Sequence, residues 1–153
     1  MQIDWAALQD VVSRLSDEEL TRPGPEVWSV KDHLAHIAEW ERACTAVLNH
    51  IPQYVGFGLS ASEYTGLDID ALNAILFERH RSLSVGEVKA MANAAHAEIL
   101  AALKDVTDED LRRPVREYGM TTRGDRLLLE KIAGDTYAHY AEHTGWINAL
   151  LAA

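Results

Sequence analysis

The segment SVKDHLAHIAEWERACTAVLN, residues 29–49, decides the fold that the sequence predicts. Ser29 is a good helix N-cap, and Asp32 three residues later gives an approximate capping box. Apolar side chains then recur at intervals of three and four residues, which predicts one amphipathic helix that ends before Pro52. A helix of this size spans roughly 30 Å, so it is long enough to cross a small domain.

Similar apolar periodicity predicts further helices on both sides of this segment. These helices run over about residues 4–15, 69–81, 84–104 and 125–151. Residues 51–67 contain a proline, three glycines and several aromatic side chains, and they are typical of an irregular connection.

An internal similarity indicates how the helices are connected. The stretch SDEELTRP, residues 16–23, recurs as TDEDLRRP, residues 107–114, and each copy lies between two long predicted helices. This indicates two similar helical hairpins joined by the long segment 50–83. The sequence therefore predicts an all-α four-helix bundle of up-down-down-up order, with a long crossover between helices 2 and 3 that holds a short extra helix.

Length and composition fit one domain, residues 1–153. Hydrophobic residues make up 48% of the chain, enough for a sizeable core. Cys44 is the only cysteine, so no internal disulfide can form, and this is typical of a reducing compartment. Because the sequence shows no secretory signal and no apolar run long enough to span a bilayer, we expect a cytoplasmic protein without a membrane partner.

The chain is strongly acidic, with a formal net charge of −10 at pH 7. An acidic surface repels phosphate backbones. Three arginines before the last predicted helix, Arg116, Arg123 and Arg126, are spread along a loop and form no basic cluster. We therefore expect no nucleic-acid partner.

Two of the seven histidines, His139 and His143, are four residues apart on the last predicted helix. Positions i and i+4 share one helix face about 6 Å apart, so two imidazoles there can bind one ion with zinc–nitrogen bonds of about 2.0–2.1 Å. The spacing alone also fits two partly buried histidines bonded to neighbouring side chains. The second helix places His33 and His36 near its inner stripe, and a third imidazole would leave the open position that is typical of catalytic zinc.

Two aspartates are spaced to support these histidines. Asp32 precedes His36 by four residues, and Asp135 precedes His139 by four residues. Each carboxylate is placed either to orient an imidazole by accepting a hydrogen bond or to serve as ordinary helix-surface charge.

Two short segments resemble the DinB-like superfamily of helical proteins. WSVKDHLAH, residues 28–36, resembles the Trp-Ser-x6-His segment that opens the second helix of that superfamily. YAHYAEH, residues 137–143, is similar to the His-x-x-x-His motif of its last helix. Residues 73–100 are similar to the middle of the ClbS/DfsB-like group, so the resemblance spans nearly the whole chain.

The resemblance implies a three-histidine site for a divalent metal ion, zinc or nickel, both of which suit imidazole ligands. Mapped by motif, the ligands are His36, His139 and His143. His33 is the competitor, because by helical angle it lies nearer the centre of the apolar stripe. The motif spacing from Trp28 favours His36, and we follow that spacing.

The resemblance also implies a metal-dependent enzyme, a thiol transferase or a hydrolase, that acts on a small-molecule substrate with or without a low-molecular-weight thiol. The maleylpyruvate isomerase branch has a glutamate where this chain has His139, which argues against that particular activity. One alternative is a ClbS/DfsB-like resistance protein that binds a small molecule or toxin, with or without metal. Another is a non-catalytic dimeric stress protein, and we expect a homodimer because such bundles often pair in this superfamily.

Overall fold

Helices dominate the computed structural model, which describes residues 1–24, 27–120 and 126–152. Over those residues the helical elements, in chain order, are α1 (Gln2–Ser13), α2 (Asp17–Thr21), α3 (Val30–Leu48), α4 (Gln53–Gly56), α5 (Ala61–Tyr64), α6 (Ile69–His80), α7 (Val85–Ala102), a 3-10 turn (Leu103–Asp105), α8 (Asp108–Leu111), a second 3-10 turn (Val115–Tyr118), α9 (Leu128–Asp135) and α10 (Tyr137–Leu151). The predicted all-α class is confirmed.

Helix α3 begins where the sequence predicts and packs against most of the other elements. The Ser29 hydroxyl accepts a hydrogen bond from the backbone N–H of Asp32, and the Asp32 carboxylate accepts one from the backbone N–H of Ser29 at 2.8 Å. Such a cap stabilises a helix by about 1 kcal/mol. Helix α3 contacts α2, α4, α6, α7, α9 and α10, so it is the central element against which the site is built.

The hydrophobic core lies along α3 in two main clusters. The first holds Leu8, Val12, Leu20, Val30, Leu34, Ile37, Val88, Tyr140 and Ile147, and the second holds Cys44, Val47, Ile99, Val115, Leu128 and Ile132. Burying each large aliphatic side chain contributes about 1.5–3 kcal/mol. Both clusters join α3 to the C-terminal helices, so core packing fixes how α3 and α10 face each other.

The prediction of one continuous helix over about residues 125–151 is wrong, because the helix is interrupted at Thr136. Thr136 has φ −129° and ψ −109°, and its hydroxyl donates to the carbonyl oxygen of Ile132. This local bond competes with regular helical hydrogen bonding, and Gly134 two residues earlier lowers helix propensity by about 1 kcal/mol relative to alanine. The predicted start at Asp125 lies outside the described residues, as does Arg123.

The crossover between α3 and α7 is more structured than the sequence indicates. It contains the predicted short helix, α6, and also the short helices α4 and α5 within the stretch expected to be irregular. The two similar stretches each form a short helix with a capping box, α2 at Ser16 and α8 at Thr107. The long predicted helices correspond to α1, α3, α7 and the interrupted pair α9–α10, while the up-down-down-up order stays a prediction.

In the part of the chain that the structure describes, no helix combines the length and the apolar character needed to cross a lipid bilayer.

Candidate metal centre

Three histidines from two helices meet at one point. His36 lies on α3, and His139 and His143 lie one turn apart on α10. The Nε2 atom of His139 is 3.1 Å from Nε2 of His36 and 3.0 Å from Nε2 of His143. One ligand nitrogen from each residue falls within 4.8 Å of the other two, and these three residues are called the triad below.

Two of the separations within the triad, 3.1 Å from His139 to His36 and 3.0 Å from His139 to His143, fit a metal site. Four ligands around zinc at about 2.0–2.1 Å in tetrahedral geometry are roughly 3.3 Å apart. A neutral ring nitrogen carries either one proton or one lone pair, so Nε2 of His139 cannot form good hydrogen bonds to both neighbours at once. A cation accepts the lone pairs of all three nitrogens together, and the donor set therefore suits zinc or nickel.

The electrostatic state of the triad also suits a cation. Burial lowers the pKa of His36 to about 3 and that of His139 to about 4, and neighbouring charged groups act in the same direction. Burial likewise lowers the pKa of His143, with His139 and His36 adding to the effect. The imidazoles are therefore neutral at pH 7, the state in which their lone pairs are available to a metal ion.

His33 lies beside the triad without joining it. Its Nδ1 atom is 2.8 Å from Nδ1 of His143, on the side of the His143 ring away from the nitrogen that faces His139. Burial lowers the pKa of His33 to about 4, and the Asp32 carboxylate acts in the opposite direction. The structure thus brings His36 together with the α10 pair and gives His33 a contact behind His143, while the choice of His36 as the third ligand stays a prediction.

Of the two roles left open for Asp32 and Asp135, orienting an imidazole is not the one that the structure shows. The Asp32 carboxylate accepts from the Ser29 hydroxyl at 2.6 Å, and Asp135 pairs with the buried ammonium of Lys131. The buried Nδ1 atoms of His36 and His139 have no partner among the described residues. The Asp32 carboxylate therefore caps α3, and the Asp135 carboxylate neutralises Lys131.

The triad lies in a cleft of about 820 Å³ between α3, α6 and α10. Three tryptophans, Trp28, Trp40 and Trp146, line this cleft together with the triad and His33. The Trp28 ring packs edge-on against His36 at 5.1 Å, and Trp146 does so against His143 at 4.6 Å between ring centroids. The triad thus lies beside aromatic surface that can contact a ligand in the cleft.

Trp146 was not predicted as part of the site, although a local signal for it exists. Trp146 follows His143 by three residues, so extending the face that holds His139 and His143 by one turn reaches it. Its side chain is 48% exposed at the cleft, which is unusual for a residue of this size.

Helix α6 forms one wall of the cleft, and nothing in its local sequence predicts this. Ile69, Asp70 and Asn73 line the cleft, and Asn73 accepts a hydrogen bond from the Trp40 indole at 3.4 Å. Only the packing of α6 against α3 brings them there. By contrast, Phe57 is fully buried in a separate core cluster against which Tyr54 and Tyr64 pack, so none of the crossover aromatics lines the cleft.

The remaining histidines and the cysteine lie outside the triad. Cys44 is buried in the second core cluster, and burial raises the pKa of its thiol. His80 pairs with Glu39 and His96 pairs with Glu41, so both are satisfied by carboxylates. His50 is exposed and stacks on Tyr118 at 4.7 Å.

Sequence comparison gives the family of the chain. Residues 1–147 match the family model of the DinB superfamily. The chain belongs to the DinB superfamily. No curated protein matches it in sequence at a significant level.

Two crystal structures share the fold at low sequence identity. An uncharacterised protein from Escherichia coli UTI89 is similar with a TM-score of 0.73 and 17% identity, covering 99% of this chain and 88% of that chain. The colibactin self-resistance protein ClbS, in complex with a dsDNA, is similar with a TM-score of 0.73 and 13% identity, covering 99% of this chain and 91% of that chain. At these identities the likeness concerns the fold alone.

The ClbS structure contradicts our expectation that a nucleic-acid partner is excluded. That neighbour of the same fold is seen in complex with a dsDNA. The inference from a net charge of −10 was wrong because net charge is a sum over the whole surface, whereas binding depends on the local distribution of charge.

Proposed function

We propose that this protein binds one divalent metal ion, zinc or nickel, through His36, His139 and His143 and is a metal-dependent enzyme of thiol-transferase or hydrolase type. The observation that carries the proposal is the convergence of three neutral imidazole nitrogens at one point in a large cleft. Membership of the DinB superfamily supports it.

The chain's own residues have distinct roles in this proposal. The triad would supply three ligands to the ion, and a fourth position would stay open to a substrate or water, as in catalytic zinc sites. A divalent cation in such a site supplies Lewis acidity at its open position. Trp28, Trp40 and Trp146 hold the apolar part of a substrate and keep bulk water away from the reacting atoms.

Metal analysis of protein purified without a polyhistidine tag tests the proposal. We expect one ion per chain after equilibration with zinc or nickel at neutral pH, and at least about 100-fold weaker binding in His139→Ala because a three-ligand site loses a ligand. His50→Ala is the matched control, since His50 is an exposed histidine away from the cleft. Wild-type protein that takes up neither metal would refute the proposal.

A second candidate is a resistance protein that binds a small molecule or toxin, with or without metal. The cleft volume of about 820 Å³ lies within the usual range of ligand sites, and three tryptophans suit a large apolar ligand. The shared fold with ClbS, a colibactin self-resistance protein, is compatible with this candidate. Protein that stays metal-free after addition of zinc and nickel favours this candidate over the enzyme.

The third hypothesis is a non-catalytic stress protein that acts as a dimer, so it depends on the oligomeric state of the chain. The homodimer and the cytoplasmic location both stay predictions. Light scattering at micromolar protein concentration gives the mass in solution, and a monomer would remove the basis of this hypothesis.

A further inference from the structure

We propose that His33 is a positioning residue: it accepts the proton on Nδ1 of His143 and thereby keeps Nε2 of His143 free to bind the metal ion. The inference rests on the proposed metal site and adds a fourth histidine with a different role. Its basis is the 2.8 Å contact between the Nδ1 atoms of His33 and His143.

The proton positions follow from the chemistry of neutral imidazole. Each neutral ring has one N–H and one lone pair. A hydrogen bond between two Nδ1 atoms requires that one ring donates and the other accepts. If His33 donates, the proton of His143 lies on Nε2, where it points at His139 and blocks metal binding.

The opposite assignment serves the metal site. When His143 donates from Nδ1, its Nε2 lone pair faces the point where the triad converges, 3.0 Å from Nε2 of His139. The proton of His33 then lies on its own Nε2. Metal-bound histidines generally donate their second ring N–H to an acceptor that fixes the tautomer and the ring orientation.

His33 is held rigidly enough for this role. It lies on the central helix α3 and is only 8% exposed. The Trp28 and Trp146 rings flank it, with centroids 5.4 Å and 6.1 Å from the His33 ring. Its acceptor nitrogen is therefore fixed relative to His143 without a carboxylate.

Among the triad, His143 is the one ligand with such support from the described residues. The outer Nδ1 atoms of His36 and His139 have no partner there. Losing His33 therefore removes the hydrogen bond that orients one of three ligands while leaving all three ligands in place. Loss of such an outer contact generally weakens metal binding about 10–100-fold.

The test compares His33→Leu with His33→Asn. Leucine removes the acceptor, whereas the asparagine side-chain oxygen offers an acceptor close to the position of Nδ1. Zinc affinity is measured by competition with a chromophoric chelator, and circular dichroism verifies that each variant is folded. We expect about 10–100-fold weaker zinc binding in His33→Leu, recovery to within about threefold of wild type in His33→Asn, and no change in the surface control His50→Leu.

A second measurement reads the tautomer directly in metal-free protein. Long-range ¹H–¹⁵N NMR correlations report which ring nitrogen of His143 carries the proton. We expect the proton on Nδ1 in wild type and in His33→Asn, and a shift of the population towards Nε2–H in His33→Leu. A merely structural role of His33 would leave this tautomer unchanged.

The outcomes separate this inference from the proposed function. Normal zinc binding in His33→Leu, or Nε2–H as the main tautomer of His143 in wild type, overturns the role of His33 alone. Complete loss of zinc in both His33→Leu and His33→Asn, with binding retained in His36→Ala, shows that His33 is a ligand and also overturns it. Wild-type protein that binds no zinc or nickel overturns the proposed function and this inference together.

Discussion

Two buried polar clusters join α3 to the C-terminal helix, and they are built on opposite chemical principles. The triad with His33 consists of imidazoles alone, and its nitrogens face one another. The second group, called the carboxylate cluster here, consists of Glu41, His96 and Tyr140. In it, the Glu41 carboxylate accepts hydrogen bonds from His96 at 2.9 Å and from the Tyr140 hydroxyl.

The carboxylate cluster has the composition expected of a structural network. An acceptor meets two donors, Glu41 is fully buried, and the Trp5 ring stacks on His96 at 4.0 Å. Burial raises the pKa of Glu41, while the bonds from His96 and Tyr140 act in the opposite direction. Oε1 of Glu41 meets both donors, whereas its buried Oε2 has no partner among the described residues. The complementary contacts at Oε1 stabilise the fold without a ligand.

The triad lacks this complementarity and opens into the cleft. Imidazoles meet there without an opposite charge, which costs folding free energy. In the proposed function, a bound cation would offset that cost. The comparison teaches that the partner of a buried histidine, and not burial itself, separates the structural histidines from those of the candidate site. The following predictions test this division, from the largest expected effect to the smallest.

Removing the centre of the carboxylate cluster has the largest expected effect on stability. Glu41→Ala leaves His96 and Tyr140 buried without their acceptor, and we expect the free energy of unfolding to fall by about 3–5 kcal/mol. For a chain of this length the melting temperature then falls by roughly 10 °C. Urea unfolding and thermal melts measure both quantities.

The control for that experiment is Glu41→Gln, which retains an acceptor and is expected to lose less than half as much stability. Zinc affinity of the folded fraction is expected to stay within about threefold of wild type in both variants, because Glu41 contacts no member of the triad. A loss of zinc binding as large as that of His139→Ala would show that the two clusters are one functional unit.

The triad is expected to make the metal-free protein sensitive to acid. The pKa of His139 is lowered to about 4 in the folded state, so between pH 6.5 and pH 4 the unfolded chain binds a proton that the folded chain does not. The stability contributed by neutral His139 is thus present above pH 6.5 and is lost as the pH falls towards 4. At pH 5 this amounts to about 2 kcal/mol for this one histidine.

His139→Leu isolates this effect. We expect the free energy of unfolding of the variant minus that of wild type to be about 2 kcal/mol more positive at pH 5 than at pH 8. Urea unfolding in the presence of a chelator at both pH values gives the two differences. His50→Leu is the surface control, and equal pH slopes in wild type and His139→Leu would contradict the prediction.

The smallest expected effect concerns the residue next to His139 in sequence. Tyr140→Phe removes one hydroxyl that donates to Glu41, and we expect the free energy of unfolding to fall by about 1–2 kcal/mol. Because Tyr140 belongs to the carboxylate cluster, zinc affinity is expected to be unchanged. More than tenfold weaker zinc binding in Tyr140→Phe would contradict the prediction that zinc affinity does not depend on the carboxylate cluster.

Much of the helical framework was predictable from the sequence because its signals are local. The capping box at Ser29 and Asp32 fixes the start of α3 within one turn of chain. The boundaries of α6 and α7 follow from apolar spacing and from the caps at Asp68 and Ser84. The break at Thr136 was missed because a threonine can occur within a regular helix or can interrupt it through its hydroxyl group. Only the hydrogen bond from the Thr136 hydroxyl to the carbonyl oxygen of Ile132 shows that the helix is interrupted here.

The candidate site was predictable in part. The pairing of His139 with His143 follows from helical spacing alone. His33 and His36 are three residues apart, so their side chains differ by only about 60° around α3. Helical spacing therefore cannot decide which one meets the pair, and only the resemblance to the superfamily motif favoured His36. The rotation of α3 decides it, and that rotation is set by core packing at the buried residues Leu34 and Ile37, which directly follow His33 and His36 in sequence.

The sequence by itself therefore determined the all-α class, the helix caps, the i and i+4 histidine pair and the membership of the superfamily. Only the tertiary structure decided that His36 joins the pair while His33 stands behind His143, that α6 forms a wall of the cleft, and that Glu41 satisfies His96. The physical reason is the separation in sequence between the residues that interact. Caps and helical faces depend on atoms within about one turn of chain, whereas His33 and His143 are 110 residues apart and Glu41 and His96 are 55 apart, so packing of the whole core brings them into contact.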